Sequence, residues 1–131
     1  MWETPITPRV SETDGAGHIN NTVIPIWLEA GRREVFRFLT PDLSFAKWRV
    51  ALVNMNVDYL GQTYYQEDAL VKTWVQRIGT KSFTLSEELW QGQRLCARGT
   101  ATYVYFNYEK GVSEPVPPDA RAALERHLKA D

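Results

Sequence analysis

Hydrophobic periodicity divides the 131 residues into one helical stretch and a series of strands. Ile24, Leu28, Gly31, Val35 and Phe38 recur at three- and four-residue steps, with Val23 and Trp27 widening the stripe, which predicts an amphipathic helix ending near Leu39. Pro25 has no N–H to donate and is tolerated only in a first turn, so the helix starts close to it. Thr22 as N-cap would put Pro25 at N3 and leave the backbone amides from Asn21 to Ile24 without intrahelical acceptors. Glu29, Arg33 and Arg37 form a second row at i, i+4 spacing, read as a solvated face. Ahead of the helix, Pro5 to Glu12 reads as a short edge strand or an extended lead-in, because its prolines suit no central strand.

After Thr40-Pro41-Asp42 the period changes to two. From Arg49 to Leu60, Ala51, Val53, Met55, Val57 and Tyr59 alternate with Leu52, Asn54, Asn56 and Asp58, giving a dry face and a polar one. Asp68 to Ile78 and Lys81 to Trp90 read as a hairpin turning at Gly79-Thr80. Gln91-Gly92-Gln93 then leads into a last strand, Arg94 to Tyr108, where Ala97, Gly99 and Ala101 leave room for a helix to pack close. Asp119 can cap a short terminal helix with Ala120, Leu124 and Leu128 on one face. Short connections imply antiparallel pairing, and the long helix needs an apolar sheet face to cover it. The expected fold class is therefore α+β, with one antiparallel sheet wrapped around one long central helix in a single domain spanning residues 1–131. The other sheet face, carrying Trp74, Ile78 and Trp90, is expected to pack against a second subunit.

Composition narrows the function. Fifteen Lys and Arg against sixteen Asp and Glu give a formal charge of −1, with no basic stripe of the kind nucleic acid demands. The lone Cys96 has no partner for a disulfide and no Cys or His neighbour at metal-ligand spacing, so the expectation is a reduced, cytoplasmic setting without a metal site. No run of about eighteen apolar residues is present to cross a membrane.

The candidate chemistry is concentrated in Asp14-Gly15-Ala16-Gly17-His18-Ile19-Asn20-Asn21, which puts a carboxylate, an imidazole and two carboxamides at the mouth of the helix. This loop, together with Trp27-Leu28-Glu29-Ala30-Gly31-Arg32 and with Ile78-Gly79-Thr80-Lys81-Ser82-Phe83, resembles the hotdog-fold acyl thioesterases, nearest to their 4-hydroxybenzoyl-CoA thioesterase-like branch. The likeness runs from about Val10 to Pro117. Two positions depart from related patterns: plant acyl-carrier thioesterases carry an asparagine where this chain has Ala16, and family members commonly place an aromatic residue where Ile24-Pro25 stands here. The resemblance implies a homodimer or homotetramer with sites at subunit interfaces. Such a protein hydrolyses an acyl-CoA or acyl-carrier thioester without cofactor or metal. It also implies that Asp14 is catalytic and that the Asn21 backbone amide polarises the thioester carbonyl.

Residue by residue, the chemistry is compatible with that implication. Thioester hydrolysis needs a nucleophile or an activated water, and a carboxylate such as Asp14 can attack directly or deprotonate water. The opposing reading is that Asp14 only caps a turn. Free amides at a helix start can receive the developing oxyanion. Gly17 can add a backbone donor or provide a positive φ. His18 can orient Asp14, donate to the carbonyl or hold the loop, whereas Asn20, Asn21 and Thr22 side chains readily bond local backbone. Glu29 is either a second carboxylate or an ion-pair partner of Arg32 or Arg33. Ser82 can meet the pantetheine arm, Arg77, Lys81 and Arg49 are candidates for the CoA phosphates, and Tyr59 is a pocket wall or a core residue. The competing function is a non-catalytic acyl-CoA-binding module.

Overall fold

The computed structural model describes residues 1–129. Strand β1 (Trp2–Ile6) is followed by a short 3₁₀ turn at Val10–Glu12, helices α1 (Ile24–Ala30) and α2 (Arg33–Leu39), and strands β2 (Val50–Tyr59), β3 (Ala69–Ile78), β4 (Ser82–Gln91) and β5 (Arg94–Asn107). A two-residue strand β6 (Val112–Ser113) and helix α3 (Pro118–Glu125) complete the chain. The sheet is antiparallel in the order β1-β3-β4-β5-β2, with β6 pairing β5. The α+β expectation and the four long strands match this architecture. The first strand lies earlier than its prolines indicated, because Trp2 to Ile6 pairs with β3 while Val10–Glu12 coils.

The expected single long helix is two helices of seven residues each. At the junction the Gly31 amide reaches Leu28 O and the Arg32 amide reaches Glu29 O, which tightens the chain into a 3₁₀-like turn. Gly31 is where the helical layer touches the sheet: a Cβ there would stand 2.7 Å from Val71 Cγ1 and 2.8 Å from Thr73 Oγ1. The helix starts one residue later than expected, with Val23 at the N-cap and Pro25 within N1/N2. Likewise Asp119 lies in the first turn of α3 behind an N-cap at Pro117, and Leu128 falls outside the helix in a bridge to Val75.

Helix-facing rows of the sheet fall into two apolar clusters. One joins Ile24, Trp27 and Leu28 of α1 to Val71, Leu89 and Ala97. The other joins Val35 of α2 and Leu124 of α3 to Val75, Phe83, Leu85, Ala101 and Tyr103. Between them runs the cross-strand row Thr73, Glu87 and Gly99. There the buried Arg32 guanidinium meets Glu87 through Nη2–Oε1 at 2.8 Å and Nε–Oε2 at 2.9 Å, and its Nη1 donates to Tyr103 Oη at 3.0 Å. Burial pushes the Glu87 carboxyl above its ordinary value despite that guanidinium, with Glu29 adding to the rise.

Two strand irregularities change which residues face inward. A register shift between Val75 and Arg77 sends Ile78 into the core, leaving Trp74 and Trp90 on the outer face without it. Those two indoles lie under Lys129 and Lys72 of the same chain. A second shift between Leu52 and Asn54 makes Val53 the extra residue, so Leu52, not Val53, shares its row with Met55 and Val57.

Candidate active site

The Asp14 loop is a small hairpin. Thr13 bridges Ile19, the Asp14 amide donates to His18 O at 2.9 Å, and the Asn20 amide donates to Glu12 O at 2.9 Å. Gly15 and Gly17 supply its positive φ values, +90° and +83°, which strain any residue with a Cβ. The outer edge is pinned by Ile19 N donating to Thr63 O and Tyr65 N donating to Gly17 O. His18 acts here through its main chain; its ring packs edge-on against Tyr64 with centroids 5.1 Å apart, and makes no hydrogen bond to Asp14 among the described residues.

Asp14 is exposed, and its Oδ1 accepts from the Ala16 amide at 2.9 Å in an Asx-type turn. Asn20 closes the turn ahead of α1: its Oδ1 accepts from Thr22 N at 2.9 Å and from Thr22 Oγ1 at 2.8 Å, and its carbonyl takes the Val23 amide. The Thr22 and Val23 amides are therefore occupied. Those of Asn21 and Ile24 have no protein acceptor among the described residues. Tyr59 Oη donates to Asn21 O at 2.8 Å and fixes that residue's main chain from the β2 side.

Asn21, Ile24 and Tyr59 wall a cavity of about 390 Å³ completed by Ile19, Leu60, Gly61, Gln62 and Thr63. Asp14, Gly17 and His18 lie on the adjoining hairpin, outside its lining. The remaining candidates sit elsewhere. Glu29 is exposed on α1, and its expected ion pair with Arg32 does not form because Arg32 is committed to Glu87. In the solvated row Arg37 pairs with Glu34 instead. Arg77, Lys81 and Ser82 cluster at the β3–β4 turn. The loop packs against Tyr64, which is held by Gln91 at the far end of β4. Nine residue steps along β4 separate Ser82 from Gln91, or roughly 30 Å at about 3.4 Å per step. Within the chain these two groups stay apart.

Sequence reading missed Glu12. Its buried carboxylate accepts from Trp27 Nε1 at 2.9 Å, from Arg9 N at 2.7 Å and from Arg9 Nη2 at 3.3 Å. Burial alone would raise this carboxyl, but the hydrogen bonds from Trp27 and Arg9, with the Arg9 charge, hold it below its ordinary value of 4.5. A hint lay in the spacing, since Arg9 and Glu12 stand at i, i+3 just ahead of the loop.

A curled antiparallel sheet carrying a Gly-rich acidic hairpin at the mouth of its helical layer defines a hotdog-type thioesterase domain. Residues 8–124 match the thioesterase-like superfamily, and the chain belongs to that family. A solved structure described as a predicted thioesterase from Bacillus stearothermophilus is 51% identical, covers 99% of this chain and 98% of its own, and superposes with a TM-score of 0.96. YneP of Bacillus subtilis strain 168, provisionally named an acyl-CoA thioesterase, is 30% identical over 74 residues, a match spanning 54% of each chain. A Thermus thermophilus thioesterase solved with coenzyme A and zinc shares the fold at 22% identity, with a TM-score of 0.84 over 95% of this chain and 91% of its own.

Proposed function

We propose that this protein hydrolyses acyl-CoA thioesters, with Asp14 as the reactive carboxylate and the Asn21 amide as the oxyanion donor. The observation that carries the reading is the entry to α1, where the Asn21 and Ile24 amides lack acceptors among the described residues and Asn21 and Ile24 wall a cavity next to the Asp14 hairpin. Coenzyme A in the Thermus relative supports the choice of thiol. Asp14 uses only Oδ1 in its turn, which leaves Oδ2 for chemistry. Oδ2 either attacks the thioester carbon, breaking the C–S bond and expelling the CoA thiolate to give a mixed anhydride that water then cleaves, or takes a proton from a water that attacks the same carbon and displaces the thiolate. In both routes charge develops on the carbonyl oxygen, and one well-placed amide there contributes about 2.7–4 kcal/mol. With α1 only seven residues long, the stabilisation rests on these N–H groups more than on a helix dipole.

The site is completed by a second copy of the chain. β2 is an edge strand with exposed Leu52, Val53 and Tyr59, followed by exposed Leu60. Antiparallel pairing of two such edges reverses the second sheet, carrying its Arg77, Lys81 and Ser82 turn toward the Asn21 end of the first. There these side chains can receive the pantetheine arm and the CoA phosphates. The competing reading, a module that binds acyl-CoA without turnover, draws on the Asp14–Ala16 turn bond, which needs no chemistry from Asp14.

The test is thiol release across a panel of acyl-CoA and acyl-carrier thioesters. Asp14→Ala is expected to lower kcat by at least about a hundredfold with the fold retained. Turnover near that of the parent would remove Asp14 from the mechanism, and tight acyl-CoA binding with no turnover by the parent would favour the binding module. In single-turnover hydrolysis in ¹⁸O-labelled water, label recovered in the Asp14 carboxylate establishes direct attack, because the general-base route labels the product acid alone.

A further inference from the structure

Glu12 makes contacts in two directions that the mechanism above leaves unused. Its carbonyl holds the Asn20 amide and so closes the hairpin that carries Asp14. Its side chain is buried beneath α1, where Oε2 takes the indole N–H of Trp27, itself buried one turn into the helix. Withdrawing a carboxylate from solvent is costly unless its oxygens are satisfied, and here three donors satisfy it. An apolar side chain would fill the same space without that requirement. The carboxylate supplies a directional link: Gly17, His18 and Ile19 are tied to residues 63–65, Asn20 ties the C-terminal arm to the turn ahead of α1, and this bond joins the N-terminal arm to α1 itself.

We infer that the buried Glu12–Trp27 hydrogen bond is a positioning clamp that fixes the Asp14 hairpin relative to the Asn21 amide. The inference rests on the catalytic reading given above. Asp14 stands two residues beyond Glu12, and Asn21 stands six residues before Trp27 with one turn of α1 between them. Loss of the bond lets the hairpin shift against the helix while the Thr63 and Tyr65 ties keep it folded. Reacting groups displaced by about 1 Å can lose on the order of a hundredfold in rate, so a partial shift predicts a loss of about tenfold or more.

The experiment compares Trp27→Phe, Glu12→Ala, their double variant and Asp14→Ala in steady-state thiol release, well below each melting temperature. Trp27→Phe keeps an aromatic ring in the core while removing the donor together with part of the indole, so it remains informative if Glu12→Ala folds poorly, and its melting temperature reports the packing share of any loss. Each single variant is expected to lower kcat about tenfold or more with KM within about twofold, and the double variant to fall no further than the worse single. A purely packing role predicts a lower melting temperature with kcat of the folded protein unchanged, and that result overturns the clamp. Losses that multiply in the double variant overturn it as well. If Asp14→Ala retains activity, the catalytic reading itself fails. If Asp14→Ala is inactive while folded Trp27→Phe is normal, only the clamp fails.

Discussion

Three buried or half-buried side chains show what single residues do in this protein. Arg32 and Glu87 cross the layer between the two apolar clusters, each almost wholly buried, so removing one partner strands a charge. Glu87→Ala is expected to cost about 3–5 kcal/mol in urea unfolding, whereas Arg32→Met with Glu87→Leu together should cost less than the single change. The pattern hinted at this pair, because Glu87 lies between Leu85 and Leu89 on the apolar parity of β4. Glu12 gives a pH dependence. Its folded-state value lies below the ordinary 4.5, so its stabilisation is fully present above that value and is lost as pH falls through the depressed folded value. Glu12→Gln does not titrate. The stability gap between parent and Glu12→Gln in chemical melts should therefore be largest near neutral pH and shrink on acidification; a gap that widens toward acid contradicts the assignment.

Elements depart from their sequence pattern where contacts across the layer outweigh local preference. The stripe from Ile24 to Phe38 is continuous, yet the helix breaks at Gly31-Arg32. There Gly31 presses on Val71 and Thr73, its carbonyl accepts the Trp2 indole N–H, and Arg32 turns inward to Glu87. None of these partners is near in sequence. Ala at position 31 would gain up to about 1 kcal/mol of helix propensity, but its Cβ would collide with β3. Gly31→Ala is expected to lower stability by about 1–3 kcal/mol, read from thermal or urea melts. The four long strands were legible to within a residue or two, but the placement of β1, the short β6 and the shifts at Leu52/Asn54 and Val75/Arg77 were not. One inserted residue reverses every later side chain, and period-two counting cannot detect it.

At the scale of the whole molecule, the exposed β2 edge and the distance of Ser82 from the Asp14 hairpin make a composite site the simplest completion. Lysine at an edge blocks strand addition, so Val53→Lys is expected to sediment as a folded monomer, with a lower melting temperature than the dimer, and to lose thiol release. Complementation tests the sharing directly. Asp14→Ala and Lys81→Ala/Ser82→Ala chains, each inactive alone, should recover about a quarter of parental activity when co-assembled, since half the dimers are mixed and each mixed dimer holds one intact site. No recovery in verified mixed dimers would place Ser82 outside the neighbouring site. Alone, the sequence determined the α+β class, the order of the long strands along the chain and the Gly-rich Asp14 loop, because each follows from local rules of turn and period; which amides at the helix entry stay without acceptors did not follow, since Asn20 takes those of Thr22 and Val23. Only the tertiary structure decided the helix break, the Arg32–Glu87 pair, the Glu12–Trp27 bond and the separation of Ser82 from the loop. Each of these depends on which distant residues the curled sheet brings into register, and a buried polar group is tolerated only where such a partner arrives.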